Sequence, residues 1–141
     1  MTTAADIMHT GVKWAPANES LDRIAEMMRE QGVGAIPIAD ADSPDERMCG
    51  IITDRDIVLE CIAQGHDPAR VTAGELCKGT PRWVSTSAGV DEILREMESH
   101  QIRRLPVVDE NKRLVGMITE ADLAHHLTND KIAEFVGRVY A

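Results

Sequence analysis

Two stretches of this chain end alike: Gly50-Ile51-Ile52-Thr53-Asp54-Arg55-Asp56 and Gly116-Met117-Ile118-Thr119-Glu120-Ala121-Asp122. Taken alone, a threonine three residues ahead of an aspartate at the mouth of a helix is a capping box. The hydroxyl accepts a first-turn N–H and the acid reaches back to the cap residue. The other side chains able to do chemistry are scattered. His125 and His126 are neighbours, so on a helix they diverge by about 100° and do not chelate one ion as an i, i+4 pair would. With His9, His66 and His100 they read as solvated imidazoles; a site built across the fold with Cys77 or His9 is the metal-binding alternative. Cys49, Cys61 and Cys77 are odd in number and lack CxxC spacing, which points to reduced thiols. There is no G-x-S-x-G, no P-loop and no cysteine with a recognisable histidine partner motif, so the chain reads as non-enzymatic.

These residues sit in a chain that repeats itself. Asp6-Ile7-Met8 recurs as Glu75-Leu76-Cys77, Trp14 as Trp83, Asp22 as Asp91, Ile24 as Ile93, Met28 as Met97, Pro37 as Pro106 and Asp40 as Asp109. After a longer first loop the two Gly-to-Asp stretches coincide again. Leu21, Ile24, Ala25 and Met28 stand at i, i+3, i+4 and i+7, as do Val90, Ile93, Leu94 and Met97, and each set makes one apolar stripe on an amphipathic helix. Ser20 stands at an N-cap, and Asp22 and Asp91 lie in first turns, where the macrodipole favours an acid. The runs 34–39 and 104–108 read as strands whose proline marks an edge or an irregularity. Polar turns follow, 40–47 and 109–113, the acids Asp42, Asp45 and Glu46 forming a solvated loop. Next come strands over 49–52 and 114–118, each ending at a threonine that opens a second helix. Ile57, Val58, Cys61 and Ile62, and Leu123, Ala124 and Leu127, are the apolar positions there.

Each repeat is therefore strand-helix-strand-strand-helix, an α/β (α+β) arrangement. The boundaries expected are a first motif at 3–65, a connector at 66–71, a second motif at 72–128 and a tail at 129–141. A motif of this size does not bury its faces alone, so the two should pack about a pseudo-twofold axis. The tail predicts an amphipathic helix (Ile132, Phe135, Val136, Val139) that pads the core or meets a partner subunit.

Strand-helix-strand-strand-helix, with proline in the middle strand and Gly-h-h-Thr-x-x-Asp at the end, resembles the CBS motif, and two in tandem resemble the CBS pair, or Bateman module. The resemblance spans residues 3–128, runs twice in register, and is carried most specifically by Gly50 to Ile57 and Gln101 to Asp109. The chain is also similar along its length to small stand-alone CBS-pair proteins. The resemblance implies a regulatory or sensing module without chemistry of its own. Such pairs bind an adenosine-containing ligand (AMP, ADP, ATP, S-adenosylmethionine or NAD) in clefts between the repeats and associate as flat homodimers.

Carried over residue by residue, the aspartate of each Thr-x-x-Asp accepts the ribose hydroxyls: Asp56 in site one, Asp122 in site two. Thr53 or Thr119 contacts ribose or phosphate at a helix N-terminus. Adenine would lie against Val12, Lys13, Val33, Gly34 and Ile51 in site one, and against Pro81, Arg82, Ile102, Arg103 and Met117 in site two. Arg55, Arg103 and Arg104 are the phosphate partners, since guanidinium forks onto phosphate oxygens. The repeats depart from each other twice. Ala121 stands where repeat one has Arg55, and bulky Arg103 where repeat one has Gly34, to bind phosphate or block the adenine slot; site one ranks first. Trp14 and Trp83 read as interface packing rather than adenine stacking.

Composition narrows the partners. Hydrophobic residues are 43%, charged residues 28% and aromatics 3%, an aliphatic-cored globular chain of 141 residues. A net charge of −9 repels phosphate backbones and anionic membranes, so neither nucleic acid nor a membrane is the expected partner. No basic-apolar leader and no run of about 20 apolar residues occurs, which reads as cytoplasmic. No cofactor is required on this reading; an adenosine nucleotide is the regulatory ligand, and an unknown protein receives the output. The alternative is a stress-response interaction scaffold with empty or degenerate sites and room for a metal ion.

Overall fold

The two apolar stripes become the long helices of the repeats, and the short apolar runs become the sheets they cover. The computed structural model describes residues 1–40, 48–77 and 82–140. In chain order the elements are α1 (Ala4–Ile7), β1 (Ala15–Pro16), α2 (Leu21–Gln31), β2 (Ala35–Ala39), β3 (Met48–Thr53) and α3 (Asp54–Ile57), which continues as a π-helical stretch over Val58–Ile62. Then come α4 (Ala73–Leu76), β4 (Val84–Ser85), α5 (Val90–His100), β5 (Arg104–Val108), β6 (Leu114–Thr119), α6 (Glu120–Ala124) and α7 (Asn129–Val139).

These elements form two compact units, Lys13–Pro81 and Met1–Val12 with Arg82–Ala141. The segment ahead of each repeat's first strand, its leader, packs in the unit of the other repeat: α4 belongs with β1–β3, and α1 with β4–β6. Within each, a three-stranded sheet has its proline-bearing strand in the centre, parallel to a two-residue strand and antiparallel to a longer one. Of the edge or irregularity expected at Pro37 and Pro106, the structure shows the irregularity. β1 reaches only Ile38 and Ala39, so Pro37 meets no ladder partner on that side, and the register slips just beyond it, between Ile38 and Ala39. Pro106 stands in the same relation to β4, with the slip between Val107 and Val108.

In the first unit Leu21, Ile24 and Met28 of α2 close over Ile36, Ile38 and Ile52, joined by Ile57, Cys61 and Ala73. In the second, Ile93 and Met97 close over Leu105, Val107 and Ile118, joined by Ala4 and Ile7 from α1 and by Phe135 and Val139 from α7. The tail therefore does pad a core, while Val136 stays exposed. Each such aliphatic side chain contributes roughly 1.5–3 kcal/mol on full burial.

Some expectations change, and the leaders, for which none was made, are short helices: Thr3 and Thr72 are held by Asp6 and Glu75, whose carboxylates accept the threonine N–H at 2.8 and 2.7 Å. That bond, before the hydroxyl contact, holds both acids below their ordinary range. Val12 and Lys13, named for the adenine site, precede β1, and Arg82 precedes β4. Val58 and Ile62 are exposed, because the widened π-helical turn keeps only Ile57 and Cys61 on the core side. Ala25 and Ala124 are also exposed. Pro81, Asp42, Asp45 and Glu46 lie outside the described residues. Among the described residues no helix is long and apolar enough to cross a membrane.

Candidate functional site

β6 delivers Thr119 to the start of α6, and both capping contacts form. The Asp122 carboxylate accepts the Thr119 N–H at 2.9 Å, and Thr119 Oγ1 accepts the Asp122 N–H at 3.4 Å. The same oxygen, Oδ2, also accepts the Thr119 hydroxyl at 3.0 Å and lies 2.7 Å from His9 Nδ1. His9 is brought there by the leader. Its N–H donates to Met117 O at 3.0 Å, and Met117 N–H donates back to His9 O at 3.1 Å. His126 Nδ1 lies 2.9 Å from the Asp122 carbonyl oxygen.

The arginines of this repeat divide. Arg82 forks onto Glu96, Nη2 lying 2.9 and 2.8 Å from the two carboxylate oxygens. Arg103 donates to the Tyr140 hydroxyl at 3.0 Å and stacks over its ring, and Tyr140 in turn donates to Glu120 at 2.7 Å. That hydroxyl contact holds the Arg103 guanidinium protonated even more firmly than usual. Arg104 stands opposite Thr119 in the β5–β6 register. Ile102 packs half-buried against the core and Met117 is buried. Of the residues named from sequence, Thr119, Asp122, Arg104 and Met117 are brought together by the sheet and its cap; Arg82 and Arg103 are tied to Glu96 and Tyr140.

In the other unit Thr53 N–H donates to Asp56 Oδ2 at 2.9 Å and Asp56 N–H to Thr53 Oγ1 at 3.1 Å. Gly34 accepts the Asp54 N–H at 3.0 Å, tying the approach to β2 to the head of α3. Ala35 stands opposite Thr53, where the second repeat has Arg104. Each repeat thus offers one guanidinium near its threonine by a different route: Arg55 on the helix in the first, Arg104 on the strand in the second. Val33 and Lys13 are exposed and Ile51 is half-buried; Val12 belongs to the unit that carries Asp122. Asp56 lines a groove of about 440 Å³ with Glu60, His66, Val71, Glu75 and Leu76. That volume lies in the range of small-ligand sites, roughly 300–1,000 Å³.

The family model of the CBS domain matches residues 4–62 and 73–129. The chain belongs to the CBS-domain family, with two copies of the domain. Hypoxic response protein 1 of Mycobacterium tuberculosis is 47% identical to this CBS pair over 139 residues, 99% of this chain and 94% of that protein. A crystal structure of Hypoxic Response Protein I with two coordinated zinc ions superposes with a TM-score of 0.80 at 48% identity, covering 90% of this chain and all of that one. The CBS domain pair of protein MJ0100, in complex with 5′-methylthioadenosine and S-adenosyl-L-methionine, superposes at 0.75 with 26% identity, covering 89% of this chain and 94% of that one. Zinc is a property of the first of those structures. In this CBS pair, among the described residues, no three His, Cys, Asp or Glu side chains gather as metal ligands.

Two features escaped the sequence reading. His9 and Asp122 meet across more than a hundred residues, whereas the sequence offers His9 only as a metal ligand in a site built across the fold. Cys49 on β3 and Cys77 at the C-cap of α4 are hydrogen-bond partners, and burial first, then the neighbouring Cys49, pushes the Cys77 thiol from 9.0 up to about 12. The folded protein therefore keeps this proton where the unfolded chain has lost it. With the native state binding more protons, stability falls as pH rises from about 9 toward 12. Relative to Cys77→Ala, the wild type is expected to lose stability across that window in urea melts, and Cys77 to resist iodoacetamide at pH 8. Parallel stability curves for the two proteins would contradict this.

Proposed function

We propose that this CBS pair is a non-catalytic sensor of an adenosine-containing ligand, held by the Thr-x-x-Asp cap of each repeat. The observation that carries the reading is Asp56, a carboxylate fixed by Thr53 on the wall of a ligand-sized groove. A ribose brings two hydroxyl donors, and a held carboxylate is the acceptor they need. The MJ0100 pair, which holds 5′-methylthioadenosine and S-adenosyl-L-methionine, supports the ligand class. Glu60 and Glu75 beside Asp56 make the groove acidic, a field that favours the sulfonium and ammonium of S-adenosylmethionine over a triphosphate. The exposed apolar face of Val58, Leu59 and Ile62 supports a second copy of the chain as partner.

Titration calorimetry with S-adenosylmethionine, AMP, ATP and NAD tests this, run on protein whose mass is fixed by sedimentation equilibrium. S-adenosylmethionine is expected to bind tighter than ATP, and Asp56→Ala to weaken it tenfold or more, since a hydrogen bond to a charged group contributes about 1.5–3 kcal/mol. No heat and no thermal shift with any of the four at millimolar concentration removes the reading; a ligand at 100 times its Kd would stabilise by about 2.7 kcal/mol. A monomeric mass removes the dimer.

A further inference from the structure

In the second repeat a side chain from the leader already occupies the acceptor that a ribose would use. We propose that His9 is a specificity-determining residue there: its imidazole covers Asp122, which takes an adenosine ligand only when His9 swings aside. The inference rests on reading Asp122 as a ribose acceptor and adds to it a difference between two sites that the duplication alone would make equal.

Asp122 Oδ2 collects three contacts, from Thr119 N–H at 2.9 Å, the Thr119 hydroxyl at 3.0 Å and His9 Nδ1 at 2.7 Å. A carboxylate only accepts, so Nδ1 carries the proton in this contact. A carboxylate has about four lone-pair sites over its two oxygens, so the Thr119 donors fill Oδ2 and a ribose diol must use Oδ1; the His9 ring, 2.7 Å from Oδ2, takes up space beside a carboxylate that is only 17% exposed. The Thr119 contacts belong to the cap of α6 and stay. His9 is the donor that can leave. Its backbone is fixed by the two bonds to Met117, so the ring departs by side-chain rotation without moving the leader. The ring is 47% exposed, so it swings into water that already wets it. In the first repeat, among the described residues, Asp56 accepts only the Thr53 N–H. His9 therefore lowers affinity in the second repeat and leaves the first untouched.

The test uses the full chain in an Asp56→Ala background, which isolates the second repeat, with AMP as probe in titration calorimetry. Adding H9A is expected to tighten AMP tenfold or more, the equivalent of one hydrogen bond to a charged acceptor. H9N returns a side-chain N–H on a short stem and is expected to restore the weaker binding. Circular dichroism checks that each variant is folded; because the His9 contacts to β6 are made by its backbone, both variants keep them. Equal or weaker AMP binding by H9A overturns the proposal, as does absence of binding at millimolar AMP or an H9N as tight as H9A. D122A separates the two levels. If it abolishes binding while H9A changes nothing, the ribose reading stands and the role of His9 falls; if D122A binds as the parent does, the ribose reading of Asp122 itself falls.

Discussion

Ile52→Ala and Ile118→Ala are each expected to destabilise the protein by about 2–5 kcal/mol, and by similar amounts. The two isoleucines are 1% and 0% exposed and occupy the same place in the two repeats, directly before the capping threonine. Ile52 pairs with Ile36 across β2–β3, and Ile118 with Leu105 across β5–β6. Removing three carbons from either leaves a hole whose walls are strands and a long helix, which close in only partly, so the transfer loss and the cavity add. Against a native margin of about 5–15 kcal/mol this is a large fraction. The measurement is the urea midpoint at unchanged slope. Valine at either position, at about 0.5–1.5 kcal/mol, should fall between. A loss below about 1 kcal/mol at one position and several at the other would mean that the repeats do not share a core plan, and that equivalence of Thr53 and Thr119 is superficial.

How much of this was legible follows from how far each signal reaches along the chain. The α2 and α5 stripes could be read because helical period is a local property, and Leu21, Ile24, Met28, Ile93 and Met97 are all buried. The Thr-x-x-Asp caps are equally local, and both form. The leaders could not be read: α1 and α4 are four residues each, too short for any period to show. Nor could the exchange of leaders, since a repeat reveals which segments are alike and not which copy a segment packs with. The partners of Arg82 and Arg103 could not be read for a related reason. Arg103 was weighed against phosphate and adenine, but its partner Tyr140 lies in the tail, and Arg82 finds Glu96 one helix away. A guanidinium takes the nearest fixed acceptor, and only the fold says which that is.

Gly116→Ala is expected to be more damaging than Gly50→Ala or Gly137→Ala, at about 1–3 kcal/mol, and to loosen His9 from Asp122. A Cβ at Gly116 would stand 2.9 Å from His9 O and run into the Met8 side chain. Met8 can rotate away, but His9 O is held by the Met117 N–H at 3.1 Å, so relief requires the leader to lift from β6. The equivalent Gly50 faces the Cys77 sulfur at 3.0 Å, a side-chain atom that can turn, so Gly50→Ala should cost less. Gly137, inside α7, has nothing within 4 Å, and alanine there should instead stabilise by about 0.5–1 kcal/mol. Urea melts give the ranking, and imidazole NMR of His9 reports whether the Asp122 contact survives. The glycine that opens each Gly-h-h-Thr-x-x-Asp run is thereby explained by close approach of a leader segment to the strand, not by backbone freedom. The same lack of a side chain is what lets a histidine near the N-terminus reach an aspartate near the end of the second repeat. A Gly116→Ala protein as stable as wild type, with the His9 resonance unmoved, would show that the leader does not rest on β6.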